Sequence, residues 1–161
     1  MLSRIRSSAA AKSSSAATAD GPPTRSISRA ELIGRYLMER VPLPALALTV
    51  DASALTAIAN DYSYDEVFAR QLGGLGQSGD VLVALSTSGN SRNVLRAIEV
   101  ARAKGINTIG LTGRTGGLMR QLCDICICVP SDHTNNIQEM HIAVGHIICG
   151  TVERNLSGAA L

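Results

Sequence analysis

The chain has 161 residues, 45% of them apolar, a formal net charge of +2 and four aromatic residues, Tyr36, Tyr62, Tyr64 and Phe68. That size fits one domain with an aliphatic core, and an Ala/Val/Ile/Leu interior suits a parallel sheet covered by helices. Charges of both signs are mixed along the chain with no basic stripe between aromatics, which argues against nucleic acid as a direct ligand, and no apolar run reaches membrane-spanning length.

Residues 1–30 are rich in Ala, Ser and Arg, hold no acid before Asp20 and carry Pro22 and Pro23 after Gly21. Taken alone they read as a disordered arm or a transit peptide. From Glu31 onward the pattern alternates. Ala45–Val50 predicts a short buried strand, and Asp51 or Ser53 caps a helix running to about Asn60. Tyr64–Leu72 predicts a second helix, and Gly73, Gly74, Gly76 and Gly79 a loop. Asp80–Leu85 is a buried strand, Ser91–Lys104 a helix stopped at Gly105, and Ile106–Leu111 another strand. A turn with Gly113, Gly116 and Gly117 leads into a short helix near Leu118–Leu122. Ile125–Val129 is a strand and Asn135–Asn155 a long closing helix. This alternation predicts an α/β fold with a doubly wound parallel sheet, whose ligands sit beyond the carboxyl ends of the strands.

Four cysteines, Cys123, Cys126, Cys128 and Cys149, fall in the second half. Cys126 and Cys128 alternate and predict one strand face. Cys123 and Cys126 form a C-x-x-C without a second pair, so the bland reading is reduced core cysteines in a cytosolic protein.

The chemistry concentrates after the strand Asp80–Leu85. Ser86-Thr87-Ser88-Gly89-Asn90-Ser91 gathers four hydroxyls around a glycine at the start of a helix. Hydroxyl donors, free N–H groups and a helix N-terminus make a phosphate cradle without a lysine. A plain Ser-capped helix is the alternative.

The string Val81–Ser91 resembles the signature loop of sugar isomerase (SIS) domains. Glu31–Tyr36, Leu55–Asp61 and Asn136–His141 resemble bacterial phosphoheptose isomerases, and the similarity runs from Glu31 to about Arg154. The resemblance implies a flavodoxin-like three-layer sandwich over residues 31–156, with 157–161 as a tail. It implies interconversion of sedoheptulose 7-phosphate and D-glycero-D-manno-heptose 7-phosphate in heptose biosynthesis, in a cytoplasmic homotetramer with one zinc ion per subunit. By the same resemblance Glu31 and His146 are the acid–base pair, and Glu31, Gln138 and His146 are zinc ligands. Ser86, Thr87, Ser88 and Ser91 hold the phosphate, and Asn60, Asp61 and Gln138 touch the sugar. Taken alone, Glu31 reads as a surface charge, and His146, among Ile142, Val144, Ile147 and Ile148, as a core histidine. Gln138 and His146 are eight residues apart, about 12 Å along a straight helix, so one ion would need a distorted helix or donors from neighbouring subunits. A non-catalytic SIS module that associates with the DnaA replication initiator is the alternative function; its phosphate loop carries an arginine where Ser88 stands here. A phosphosugar-sensing regulator is a third, with no DNA-binding segment attached here.

The family pattern opens with a helix, a strand and a C-G-N-G-G loop, and places a histidine where Ile27 stands, so the sheet is expected to be truncated at its N-terminal strand and helix and the fourth zinc ligand to be missing. Back-translation offers a reason. Reading degenerate codons from the third base of the preceding codon permits Gly-Gly-Lys-Val-Leu-Leu-Cys-Gly-Asn-Gly-Gly over positions 10–20. Arg or Trp, then Ala-Ala-Asp-Ala-Gln-His-Leu-Ala-Ser, follow, and one dropped base restores Glu31; only the motif serine cannot be encoded. Residues 1–30 are then an out-of-frame stretch, and the polypeptide as written is expected to be poorly soluble, with an uncovered apolar face and little or no turnover. Resequencing the DNA is expected to reveal a one-base frame change near codon 30; an intact frame together with the mass of the N-terminal peptide refutes it.

Overall fold

Val81–Ser86, an apolar run without polar alternation, and Asn107–Thr112, in which Thr108 and Thr112 are buried beside Ile109 and Leu111, form neighbouring strands within the sheet. In the computed structural model, Ser13–Ala17 and residues 30–157 are described. The strands are β1 Ser13–Ala17, β2 Ala45–Ala47, β3 Val81–Ser86, β4 Asn107–Thr112 and β5 Ile125–Cys128. The helices are α1 Ala52–Asp61, α2 Val67–Leu75 after a 3-10 turn at Tyr64–Glu66, α3 Arg92–Ala103, the short α4 Met119–Leu122 and α5 Thr134–Ser157. All pairings are parallel, in the order β2-β1-β3-β4-β5. This is the doubly wound α/β sheet that the alternating pattern predicts.

Helix α3 illustrates how the pattern becomes structure. Val94, Ala97, Ile98 and Ala101 are buried at helical spacing, while Arg96 and Glu99 face solvent. They pack with Leu82 and Ala84 of β3 and with Val67, Phe68 and Leu72 of α2 into one aliphatic cluster. Gly105, at φ +68, ends the helix in the left-handed conformation. At α1, Asp51 Oδ1 accepts the Ala54 N–H at 2.9 Å, and β2 stops at Ala47 because the chain is already turning into that cap. Helix α2 differs from the sequence reading: it runs through Gly73 and Gly74 to Leu75 before Gly76 N–H closes on the Leu72 carbonyl at 2.8 Å. Two glycines in a last turn weaken a helix without ending it, and Lys104 Nζ donates to the Gly73 carbonyl.

The opposite sheet face is less covered. Register aligns Val83, Ile109 and Ile125 in one row and Leu85, Leu111 and Ile127 in the next. On the edge strand β5, Ile125 and Ile127 are exposed. The same strand places the Cys126 and Cys128 sulfurs 3.9 Å apart, and all four cysteines are free thiols. Among the described residues no helix is long and apolar enough to cross a membrane.

The slot between β2 and β3 is where the sequence reading and the backbone differ. Residues 1–30 were assigned to no element, yet Ser13–Ala17 pairs on both sides, with Ser13, Ser14 and Ser15 opposite Val81, Leu82 and Val83. Two strands with unpaired ladders accept any extended backbone, because the bonds they lack are main-chain bonds. An interior parallel strand nevertheless calls for apolar side chains, and the alternative frame supplies Val, Leu and Leu at these three positions. The triple substitution Ser13→Val, Ser14→Leu, Ser15→Leu is therefore expected to stabilise the protein by roughly 3–6 kcal/mol in urea unfolding. No gain would show that this slot does not need an apolar strand.

Candidate active site

The β3–α3 junction is built around hydroxyls that bond to one another. Ser86, the last residue of β3, is buried; its Oγ accepts the Gly89 N–H at 3.1 Å and lies 2.9 Å from Ser91 Oγ and 3.4 Å from Ser88 Oγ. Ser91 occupies the N-cap position of α3 but makes no side-chain cap bond. Its hydroxyl turns into the loop and caps none of the first N–H groups of α3, at the positive end of the helix dipole; the Val94 N–H is taken instead by the Ser91 carbonyl and Asn93 Oδ1. Three hydroxyls and a helix start thus converge on one point with no cation among them. Arg92, the next residue, is exposed and pairs outward with Asp65 at 3.0 Å. Such a set of neutral donors suits a phosphoryl group.

A second loop holds the first in place. Gly89 has φ +68, and a Cβ there would lie 2.1 Å from the Gly116 carbonyl oxygen. At Gly117, with φ +52, a Cβ would lie 2.6 Å from the Ser88 carbonyl oxygen and 2.7 Å from that of Gly89. Gly89 O accepts the Met119 N–H at 3.1 Å, Asn90 Oδ1 accepts the Leu118 N–H at 2.9 Å, and Asn90 Nδ2 donates to the Ser88 carbonyl at 3.1 Å. Thr87 joins through its backbone, its carbonyl accepting the Gly113 N–H at 3.0 Å. Sequence reasoning noted the glycines of this turn without seeing that they buttress the Ser86–Ser91 loop, and it passed over Asn90. The Gly116-Gly117 pair was the available signal, since two adjacent glycines mark a close backbone approach.

Helix α5 connects this corner to the expected acid–base pair. Ile137 packs at Gly113, and buried His141 places Nε2 3.2 Å from the Thr112 carbonyl. Burial holds the His141 pKa below its ordinary value, against the opposite pull of that carbonyl. Five residues on, half-buried His146 stacks on Tyr36 with ring centroids 5.4 Å apart and planes 8° apart. Glu31, in the helical turn of residues 30–33, lies near Cys149: burial pushes that thiol up to about 11, with the Glu31 and Glu153 carboxylates adding to the effect. Glu31, Tyr36, His146 and Cys149 therefore share one neighbourhood.

The other expected residues are placed less tightly. Asn60 and Asp61 close α1, exposed and bonded to each other at 3.0 Å. Gln138 is half-buried on the same continuous helix as His146, so their separation stays near 12 Å along the axis. Zinc–ligand bonds are about 2 Å, and within one chain Glu31, Gln138 and His146 do not fit a single ion. No group of three or more His, Cys, Asp or Glu among the described residues could hold a metal.

Close packing of the two loops has a measurable signature. Gly89→Ala is expected to cost more than about 3 kcal/mol in urea unfolding, combining left-handed strain with a backbone clash. Gly79→Ala, at φ +90 with nothing within 4 Å of the added carbon, is expected to cost only about 1–2 kcal/mol. Equal costs would contradict the buttress.

Comparison with known proteins agrees with this arrangement. The model of the SIS domain matches residues 27–113. The phosphoheptose isomerase of Akkermansia muciniphila is 61% identical over 129 residues, covering 80% of this chain and 68% of that protein. The phosphoheptose isomerase of Rhodospirillum rubrum is 64% identical over 124 residues, covering 77% and 66%. The chain thus spans about two thirds of the length of these curated relatives. Among solved structures, a phosphoheptose isomerase from Neisseria gonorrhoeae matches with TM-score 0.78 at 40% identity, covering 88% of this chain and 76% of that one. A phosphoheptose isomerase from Francisella tularensis matches with TM-score 0.78 at 36% identity, covering 86% and 74%. A parallel sheet with a serine-rich strand–loop–helix junction, matched over most of the chain at these identities, means that the chain belongs to the SIS-domain family, among the phosphoheptose isomerases.

Proposed function

We propose that the chain comes from a phosphosugar isomerase of heptose biosynthesis that, with its reading frame restored, interconverts sedoheptulose 7-phosphate and D-glycero-D-manno-heptose 7-phosphate. The observation that carries this reading is the hydroxyl cluster of Ser86, Ser88 and Ser91 at the start of α3, joined through α5 to the Glu31–His146 neighbourhood. The names of the relatives support the same reading.

In this reading the loop grips the phosphoryl end and leaves the carbonyl end to Glu31 and His146. From the ketose, a proton leaves C1 while the C2 oxygen gains one, giving an enediol. A proton then returns to C2 as the O1 hydroxyl loses its own, giving the aldose. A carboxylate and an imidazole are suited to exchanging these protons near neutral pH. Asn60, Asp61 and Gln138 are assigned to the sugar hydroxyls. The reading includes a cytoplasmic homotetramer. Exposed Leu37, Val41, Met140 and Ile147 supply apolar surface for such an assembly. A shared zinc ion would draw Gln138 and His146 from different subunits, and no step above is routed through it.

Two substitutions test the assignment. Ser86→Ala with Ser91→Ala is expected to weaken binding of sedoheptulose 7-phosphate about 10- to 100-fold in calorimetry, since hydrogen bonds to a charged group are worth about 1.5–3 kcal/mol. In the frame-restored protein, Glu31→Gln is expected to lower kcat about 10²- to 10⁴-fold while binding is retained. Unchanged phosphosugar binding in the serine variant would overturn the phosphate assignment. Unchanged turnover in the glutamine variant would overturn the acid–base one.

A further inference from the structure

Seven residues beyond His146 on the same side of α5 lies Glu153, a carboxylate that the proposed chemistry does not use. It is 1% exposed, and it accepts three consecutive backbone N–H groups, Tyr36 at 2.7 Å on Oε1 and Leu37 and Met38 at 2.8 and 3.1 Å on Oε2. Its counter-ion is Arg40, 7% exposed, whose Nε lies 3.1 Å from Oε1 but off-line for a hydrogen bond. The guanidinium does its bonding elsewhere. Nη2 donates to the Glu31 carbonyl at 2.7 Å, and Nη1 to the carbonyls of Leu32 at 2.8 Å, Gly34 at 3.4 Å and Val41 at 3.0 Å.

Two buried charges therefore hold nearly every turn of the segment 31–41, one from each side. The carboxylate satisfies its N–H groups, the guanidinium satisfies its carbonyls, and the charges face each other. Burial alone would push the Glu153 pKa up, but the three N–H donors and Arg40 outweigh it and hold the carboxyl below its ordinary range. A bare hydrophobic contact would anchor the segment without fixing its orientation; a fork of directed bonds to consecutive amides fixes both. Gly150 completes the fit, because a Cβ there would come within 3.3 Å of the Tyr36 ring.

We propose that Arg40 and Glu153 are positioning residues for the reaction centre: the clamp sets the Tyr36 ring against His146 and fixes the turn that carries Glu31. The effect on turnover rests on the assignment of Glu31 and His146 as the acid–base pair; the effect on the Tyr36–His146 stack does not.

The three histidines, His133, His141 and His146, make the test internal. In the NMR spectrum of the full chain, the His146 ring protons are expected to be shifted upfield by the stacked Tyr36 ring, and Tyr36→Leu identifies that shift. In Glu153→Gln and Arg40→Met the shift is expected to be lost, while exposed His133 and His141 at the Thr112 carbonyl keep their positions. Arg40→Lys, which retains the charge but not the fork, is expected to recover only part of it. In the frame-restored protein the same variants are expected to lower kcat about 10- to 100-fold with KM for the phosphosugar within about twofold, the pattern of misplaced reacting groups beside an intact phosphate site. A His146 shift unchanged in a folded variant overturns the proposal. So does loss of the His141 position together with that of His146, which would make the pair a general stability element. If the His146 shift is lost and kcat holds, Glu31→Gln decides: a large loss there overturns the positioning role in turnover, and no loss overturns the acid–base assignment while the clamp stands.

Discussion

Everything at the carboxyl end of this sheet depends on two loops approaching each other at backbone distance. Gly89 lies against the Gly116–Gly117 backbone with no room for a side chain. That contact lets the β3–α3 turn be tight enough for Ser86, Ser88 and Ser91 to point at one spot. With any bulk between the loops, the Met119 N–H would lose the Gly89 carbonyl and the Leu118 N–H would lose Asn90. The hydroxyl cluster is thus a property of a pair of loops, although its donors come from only one of them.

The two halves of the site rest on different physics. The Ser86–Ser91 half uses neutral donors, short distances and a helix terminus, and it is assembled from neighbouring stretches of chain. The Glu31–His146 half is brought together from residues more than a hundred positions apart, and the forces holding it are a buried ion pair and bonds to backbone amides. A buried pair of this kind is weak evidence for stability, since desolvation offsets much of the attraction. Its value lies in direction, because misaligned charges would be left unsatisfied.

Much of this was legible in the sequence, and the boundary of legibility is physical. The strands β3 and β4 and the helix α3 were readable because their apolar spacing and stop signals are local. Asp51 announced a cap and makes one. The S-T-S-G-N-S string announced hydroxyls gathered at a helix start, and Ser86, Ser88 and Ser91 do cluster there. Glu153 and Arg40 were not readable: a glutamate near the end of an amphipathic helix looks like a solvated charge until the segment it faces is known. Gly73 and Gly74 misled because glycine discourages a helix without forbidding it. The strand at Ser13–Ala17 was invisible because pairing with β2 and β3 needs only main chain, and the side-chain pattern there argues for nothing.

Helix α5 is one unbroken rod from Thr134 to Ser157. His141 seats it at the Thr112 end of β4, and His146 lies about 7.5 Å further along its axis. Bending such a rod over so short a span is hard, so thermal motion carries both histidines in the same direction at once. The gap between anchor and imidazole is then quieter than either end is relative to the sheet, as a ruler's markings keep their spacing when the ruler is shaken.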